Sequence, residues 1–391
     1  MSKPQPILSN MPRHIKQKIV DSANTLTKFN IRLCSKEYNK FVTNSVISYK
    51  RLYCVFDPCG TSVHLVLNID DDNLHSIRFC ESPQGYLLKR HKPKVEKIVE
   101  NGCYIDGAVK QFVKLMKQNN VLLKHLQIQF MRPIERVQEE RFEQKKETVL
   151  EKIRETLASR RHPLLVNQFQ IYFNNNPEDI LRILPYLKPG TLNKICISVQ
   201  LSMQLPLRPT EITLDGIHVT EQWKQADALR LSWSYLTLPI REWAHFNDII
   251  FCIIELSSGN VRQIYQCFLG NQTFRSCIIY SQNINHRSLL EYFLQFDPEI
   301  QQNKNSYTSP HKQEESSIYL KIAIPEKHND YFKVVIQKEC LRVFKFLNDI
   351  DPCAVENAEE RALEMGVYGM TEEFVELEAA ELMADVAKYI F

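Results

Sequence analysis

The side chains that could do chemistry are plentiful in this 391-residue chain, but their spacing matches no known chemical pattern. Its 11 histidines are scattered singly, and its 11 cysteines include no C-x-x-C pair. A closed zinc site of thiolates and imidazoles is therefore not expected, and an odd cysteine count does not suit a disulfide framework. Asp70, Asp71 and Asp72 stand in a run. An EF-hand loop needs alternating ligands, a central glycine and a distal glutamate, so this run reads as a turn. With 10 glycines and neither G-x-x-x-x-G-K-[ST] nor G-x-G-x-x-G, no backbone cradle for phosphate is present. H-E-x-x-H and G-x-S-x-G are absent too. No enzymatic activity, cofactor or metal is expected. Trp223, Trp233 and Trp243 could anchor an interface. Trp223 and Trp243 lie in short amphipathic segments beside strand-like runs, which favours packing against a sheet.

Composition narrows the classes further. With 49 basic and 46 acidic residues the formal charge is +3, so no global field draws the chain to nucleic acid or an anionic membrane. Basic residues cluster in 86–161, as at Lys89, Arg90, His91, Lys92 and Lys94, but Glu96, Glu100, Glu139 and Glu140 are mixed in and regularly spaced aromatics are missing. A solvated helical face is the reading for that region, and nucleic acid is not an expected partner. Neither a signal-peptide core nor an apolar run of membrane-spanning length occurs, so a cytoplasmic or nuclear protein is expected.

The elements that must position any site follow from periodicity. Met11, Ile15, Ile19 and Val20 recur at helical spacing, with Pro12 at the opening turn, where a missing N–H costs nothing. Leu26, Phe29, Leu33, Tyr38, Phe41 and Val42 continue a helical pattern, with Ser35 placed as a cap. Three helices in so short a span bury little surface on their own, so this unit calls for a partner. From Tyr49 the period changes to two, giving a three-stranded meander up to about residue 80. Residues 93–120 and 134–160 have helical composition. Strand-like runs at 125–130, 167–173, 193–199, 228–233, 248–254 and 275–280 then alternate with helical or turn segments. Their spacing is irregular and lacks the L-x-x-L-x-L-x-x-N signature, so the reading is a repeat-like α/β layer and not a regular solenoid. A polar stretch over 281–316, a second meander, and an acidic, helix-prone tail complete the chain.

The fold class is therefore α+β. A small N-terminal three-helix module (1–48) is followed by a meander (49–84), an irregular repeat-like α/β domain (85–300), a loop (301–317), a second meander (318–348) and a tail (349–391).

Met11 and Pro12 at the opening pair, Ile15, Ile19 and Val20 on the first helix, Leu26, Phe29, Ile31, Leu33 and Cys34 on the second, and SKEYNKF as the third make the N-terminal module resemble the F-box. It departs from the usual motif at Met11, which replaces leucine, at Tyr38, where many F-boxes carry tryptophan, and at Asn24 and Thr25 in a shortened inter-helix region. ILPYLKPGTL, EQWKQADALRL, PIREWAHFNDIIFCI and FRSCIIY make residues 85–300 resemble the FTH domain that follows the F-box in a nematode family. The resemblance implies an adaptor of a Skp-cullin-F-box (SCF) ubiquitin ligase. Leu8, Met11, Pro12, Ile15, Ile19, Val20, Leu26, Phe29, Ile31, Leu33, Cys34, Tyr38 and Phe41 would contact a Skp-type adaptor, and through it a cullin and RING core. The FTH-like region would hold a protein substrate. The alternative is an interaction scaffold outside any ligase.

Overall fold

The computed structural model describes residues 11–34, 40–42, 45–57, 61–69, 74–90, 94–116, 121–131, 139–173, 176–199, 210–294, 318–323, 331–337 and 340–346. Leu8, Tyr38, the Asp70–Asp72 run, the 301–317 loop and the acidic tail lie outside them. The chain divides into two units, residues 1–174 with 178–193, and residues 175–177 with 194–391. The division falls inside the 85–300 stretch that reads from sequence as one domain.

In the first unit, α1 (Arg13–Ser22) and α2 (Thr25–Cys34) lead into a mixed sheet. Residues 40–42 are helical, and the rest of the expected third helix is outside the described residues. Strands β1 (Ile47–Phe56), β2 (Ser62–Asn68), β3 (Leu74–Ser82), β4 (Gly85–Arg90) and β5 (Val95–Glu100) form a continuous antiparallel meander. The meander thus has five strands where three were expected. The basic run at Lys89 and Arg90 sits on β4 and not on a helical face. Residues 93–120 do not form one helix: β5 occupies the first part, and α3 (Tyr104–Met116) begins only after a turn in which Asn101 takes φ 55°. Val95, Ile98 and Val99 favour extended backbone, and pairing with β4 outweighs the helical charge pattern of VEKIVE.

On its other side β1 pairs in parallel with β6 (Val121–Phe130), and β6 pairs in parallel with β7 (Leu165–Phe173) through the crossover helix α4 (Glu139–Ala158). The short helix α5 (Pro177–Leu181) and a 3-10 turn (Leu184–Tyr186) follow, with Pro177 at the first helical position.

The second unit holds β8 (Lys194–Val199), β9 (Thr210–Ile212), α6 (Glu221–Gln225), β10 (Ala228–Leu236), β11 (Asp248–Leu256), α7 (Ser258–Gly270), β12 (Ser276–Ile284), α8 (His286–Leu294), β13 (Ile318–Ala323), β14 (Tyr331–Gln337) and β15 (Cys340–Phe346). Strands β8, β10, β11 and β12 run parallel in sequence order; β15, β14 and β13 extend that sheet antiparallel beyond β12. The segment IREWAHF supplies only one 3-10 turn, Ile240–Glu242. The polar stretch from 281 is less irregular than expected, since β12 runs to Ile284 and α8 follows. Helices and a mixed sheet together make the chain α+β.

A regular pattern underlies these strands. Among the described residues the chain reads Φ-x-x-Φ-x-Φ seven times, where Φ is a buried apolar residue. The sets are Tyr49/Leu52/Cys54, Leu123/Leu126/Ile128, Val166/Phe169/Ile171, Leu192/Ile195/Ile197, Ala226/Leu229/Leu231, Phe246/Ile249/Phe251 and Phe274/Cys277/Ile279, all of them buried. The repeat is thus more regular than the sequence suggested, although the asparagine ending of the leucine-rich consensus is missing. The residue after the first Φ is polar each time: Lys50, Lys124, Asn167, Asn193, Asp227, Asn247 and Arg275. Its backbone links successive strand entries, as in Asn193 N–H to Asn167 O (2.8 Å), Asn247 N–H to Asp227 O (2.8 Å) and Arg275 N–H to Asn247 O (2.9 Å).

The helices pack on the Φ side. In the first unit α3 buries Tyr104, Ile105, Ala108, Phe112 and Met116, and α4 buries Phe142, Val149, Leu150, Ile153 and Leu157, with Phe142 against Phe56 at 5.4 Å between ring centroids. In the second unit Trp243 meets Phe251 at 4.7 Å, and Phe268 of α7 stacks on Phe274 at 3.8 Å. Each such side chain, fully buried, contributes about 1.5–3 kcal/mol.

Candidate functional site

Helix α1 is built with two adjoining stripes. Lys16 and Val20 face inward and are buried, while Ile15 is half-buried and Ile19 is 36% exposed. One residue turns the helix by 100°, so the isoleucines at i and i+4 share a stripe beside the inner one. Met11 is half-buried and Pro12 exposed at the start of the same helix. Ile31 is half-buried on α2. Two of the expected contact residues point the other way: Val20 and Phe41 are buried within the unit and offer no surface to a partner. For Leu26, Phe29, Leu33 and Cys34 the backbone lies in α2, and their side chains are outside the described residues.

Polar bonds fix this module to the sheet. Lys28 Nζ donates to Asp21 O (3.2 Å) and Val46 O (2.9 Å), placing a cation at the C-terminal end of α1, where the helix dipole favours it. Gln17 Nε2 donates to Asp21 Oδ1 (2.8 Å) and Phe41 O (3.4 Å), and Thr25 Oγ1 donates to Ser48 O of β1 (2.5 Å). The module therefore belongs to the first unit and does not stand apart from it. Val46, exposed and next to the end of α1, adds an apolar residue that sequence reasoning left out.

The second candidate surface is the face of each sheet opposite the helices. In the first unit the register sets Arg51, His125 and Gln168 in one row, Tyr53, Gln127 and Gln170 in the next, and Val55, Gln129 and Tyr172 in a third. These groups bond to one another: Arg51 Nη1 donates to Tyr53 OH (3.0 Å), Gln170 Nε2 donates to Tyr172 OH (2.6 Å), and His125 Nε2 lies 3.0 Å from Gln170 Oε1. The Tyr53 ring meets His125 edge-on at 5.7 Å. On β2, His64 Nε2 lies 2.6 Å from Ser76 Oγ, and burial, helped by the nearby Arg78 charge, lowers its pKa to about 4. A pre-ordered lattice of amides, rings and an arginine suits hydrogen bonding to a polypeptide. The signal for it is the period-two spacing in HLQIQF and NQFQIYF, which the sequence reading used only to place strands.

In the second unit the face opposite the helices carries Arg230, Ile250, Ile278 and Arg342 in one row, with Cys252, Tyr280 and Cys340 in the next, but Ile278, Arg342, Cys252 and Cys340 are buried and offer no surface to a partner. Burial pushes the Cys252 thiol up to about 12 and raises Cys340 as well, so both are held as neutral thiols.

Trp223 and Trp243 are core residues. Trp223 Nε1 donates to Glu242 O (2.8 Å) and its ring meets Phe246 at 5.0 Å; Trp243 Nε1 donates to Leu238 O (3.2 Å). The charged cluster at the strand entries is structural too: Arg275 bridges Asp227 and Asp248, and Asn247 bonds to Asp227. Among the described residues no group of three or more His, Cys, Asp or Glu side chains is placed to hold a metal ion, and no helix is long and apolar enough to cross a membrane.

The family model of the FTH domain matches residues 147–296, so this part of the chain is similar to that family. The match begins within α4 and runs past α8, covering five of the seven Φ-x-x-Φ-x-Φ sets. No curated protein and no solved structure matches the chain.

Proposed function

We propose that this protein is a substrate-receptor subunit of an SCF-type ubiquitin ligase, with α1 docking on a Skp-type adaptor and the FTH-like region holding a protein substrate. The observation that carries the reading is the outer stripe of α1. Ile19 is exposed and Ile15 half-buried on a stripe beside Val20, which helps to close the module. The FTH match supports the receptor half, because it spans β7, whose Gln168 and Gln170 are only half-buried on the side away from Phe169 and Ile171. The ligation chemistry would belong to other subunits.

The test is co-purification of the full chain with a Skp-type adaptor. Ile19→Lys is expected to abolish it while leaving the melting temperature unchanged, since an ammonium in a desolvated contact costs several kcal/mol but an exposed position tolerates it in the free protein. Adaptor capture equal to wild type would reject the docking role. An interaction scaffold outside the ligase would keep its substrate while that substrate's half-life ignored both forms.

A further inference from the structure

We propose that the outer edge of β5 is a strand-addition site for an extended segment of a partner protein that carries basic residues on either side of an apolar one at alternate positions. Among the described residues β5 pairs with β4 alone and ends its sheet. Half of the backbone N–H and C=O groups of an edge strand point outward and can accept another strand. Natural edges are commonly blunted by charged side chains, prolines, bulges or covering loops, and β5 carries charges at Glu96, Lys97 and Glu100. Here Val95 is 42% exposed and Ile98 50% exposed, two of the six large apolar residues most open to solvent among the described residues. Their positions put apolar surface on both faces of one strand, since Val95, Lys97 and Val99 alternate with Glu96, Ile98 and Glu100.

The hairpin is held in place, so the edge is presented pre-formed. Gly85 adopts φ 143°, and a Cβ there would lie 2.1 Å from Val99 O, so β4 and β5 approach as only glycine permits. Gly102 and Gly107 both lie against the Tyr86 ring, where an added Cβ would come within 2.7 and 2.8 Å of it. Tyr86 thereby seats the hairpin on the start of α3. The opposite face of the same strands continues from Ile98 to Leu87 and Cys80 through the register, an apolar row reaching inward from the edge.

Charge selects the occupant. In antiparallel self-pairing centred on Lys97, Lys97 meets its own copy; centred on Ile98, Glu96 meets Glu100 of the second copy. Like charges directly opposite destabilise a sheet. The two registers that pair five of the six β5 residues with a second copy of this chain are therefore disfavoured. Glu96 already lies 3.7 Å from Lys89 of β4 with about half its side chain exposed, so an incoming strand with Lys or Arg opposite Glu96 and Glu100 and an apolar residue opposite Ile98 adds a second cation at Glu96, pairs Glu100 and covers Ile98.

The probe is a fluorescein-labelled peptide, Gly-Ser-Lys-Val-Ile-Glu-Lys-Thr-Gly-Ser, titrated against the full chain by anisotropy. Saturable binding is expected. Reversing Glu96→Lys and Glu100→Lys together should weaken it at least tenfold, and a peptide with glutamate in place of both lysines should recover binding to that variant. Alternate backbone N-methylation of the peptide should abolish binding, which separates strand pairing from simple charge attraction. Ile98→Glu, at an exposed site, should weaken binding at an unchanged melting temperature. The proposal is overturned if the probe does not bind saturably, if the N-methylated peptide binds equally, if the reversed variant keeps its affinity for the original probe, or if sedimentation shows a dimer that Ile98→Glu dissociates.

Discussion

The contact between α4 and α5 rests on a buried ion pair, and its removal gives a measurable penalty. Lys146 Nζ lies 2.9 Å from Asp179 Oδ2, with the two side chains 3% and 0% exposed, and 2.5 Å from Glu143 Oε2 on a side chain that is 40% exposed. Burial alone would lower the Lys146 ammonium, but the bond to Glu143 and the charge and bond of Asp179 reverse this and hold it above its ordinary value. Lys146→Met leaves the Asp179 carboxylate fully buried without its cation, at a cost of about 3–5 kcal/mol. Asp179→Leu leaves the ammonium with Glu143, which can follow it toward solvent, so the cost falls to about 2–3 kcal/mol. The double variant Lys146→Met/Asp179→Leu replaces the pair with apolar groups and should lie within about 1 kcal/mol of the wild type. All three tryptophans, Trp223, Trp233 and Trp243, lie in the second unit, so their fluorescence follows that unit while far-ultraviolet circular dichroism follows both. In urea the single variants should advance the dichroism transition relative to the fluorescence one. A Lys146→Met penalty below about 1 kcal/mol, or a double variant less stable than either single, would refute the reasoning.

Two further outcomes follow from the first unit. His64 has its folded pKa lowered to about 4 from 6.5, so it contributes stability that is present above pH 6.5 and lost as pH falls through that window. The loss amounts to about 3 kcal/mol, and His64→Gln should flatten the denaturation midpoint between those pH values; an unchanged slope would show that His64 does not titrate alone. Gly85→Ala should release the β4–β5 hairpin, because both φ and the 2.1 Å approach to Val99 O exclude a Cβ. Hydrogen exchange at the amides of Val95–Glu100 should accelerate at least tenfold while β6 and β7 stay protected.

How far the sequence could be read depends on which contacts decide each element. Strands at 167–173, 248–254 and 275–280 were legible because their own alternation specifies one buried face, and the structure places β7, β11 and β12 there. VEKIVE was not, since its charges spaced along a helix favour one state and its β-branched residues the other, and only pairing with β4 decides. The repeat stayed hidden because Tyr49, Ala226, Phe246 and Phe274 fill the first apolar position, and Cys54 and Cys277 fill later ones, where a leucine template was sought. On α1 the spacing identified Ile15 and Ile19 but also enlisted Val20, which lies one residue further round the helix and faces the core. Periodicity locates an apolar stripe; it does not say which edge of the stripe the protein covers with its own chain.

The same alternation lets a sheet of this kind bear changes on one face without loss of fold. Along β6, Leu126 and Ile128 face the helices while His125, Gln127 and Gln129 face away, and β7 repeats the arrangement with Phe169 and Ile171 against Gln168, Gln170 and Tyr172. Substitutions of the first set open cavities costing about 2–5 kcal/mol. Substitutions at the more open positions of the second set, such as Gln168 and Gln170, touch hydrogen bonds worth about 1 kcal/mol each. On the proposed function, recognition and stability would therefore reside in residues that are neighbours in sequence but separated by the sheet. The face can change its chemistry through Gln168 or Gln170 while Phe169, between them, keeps the strand in register.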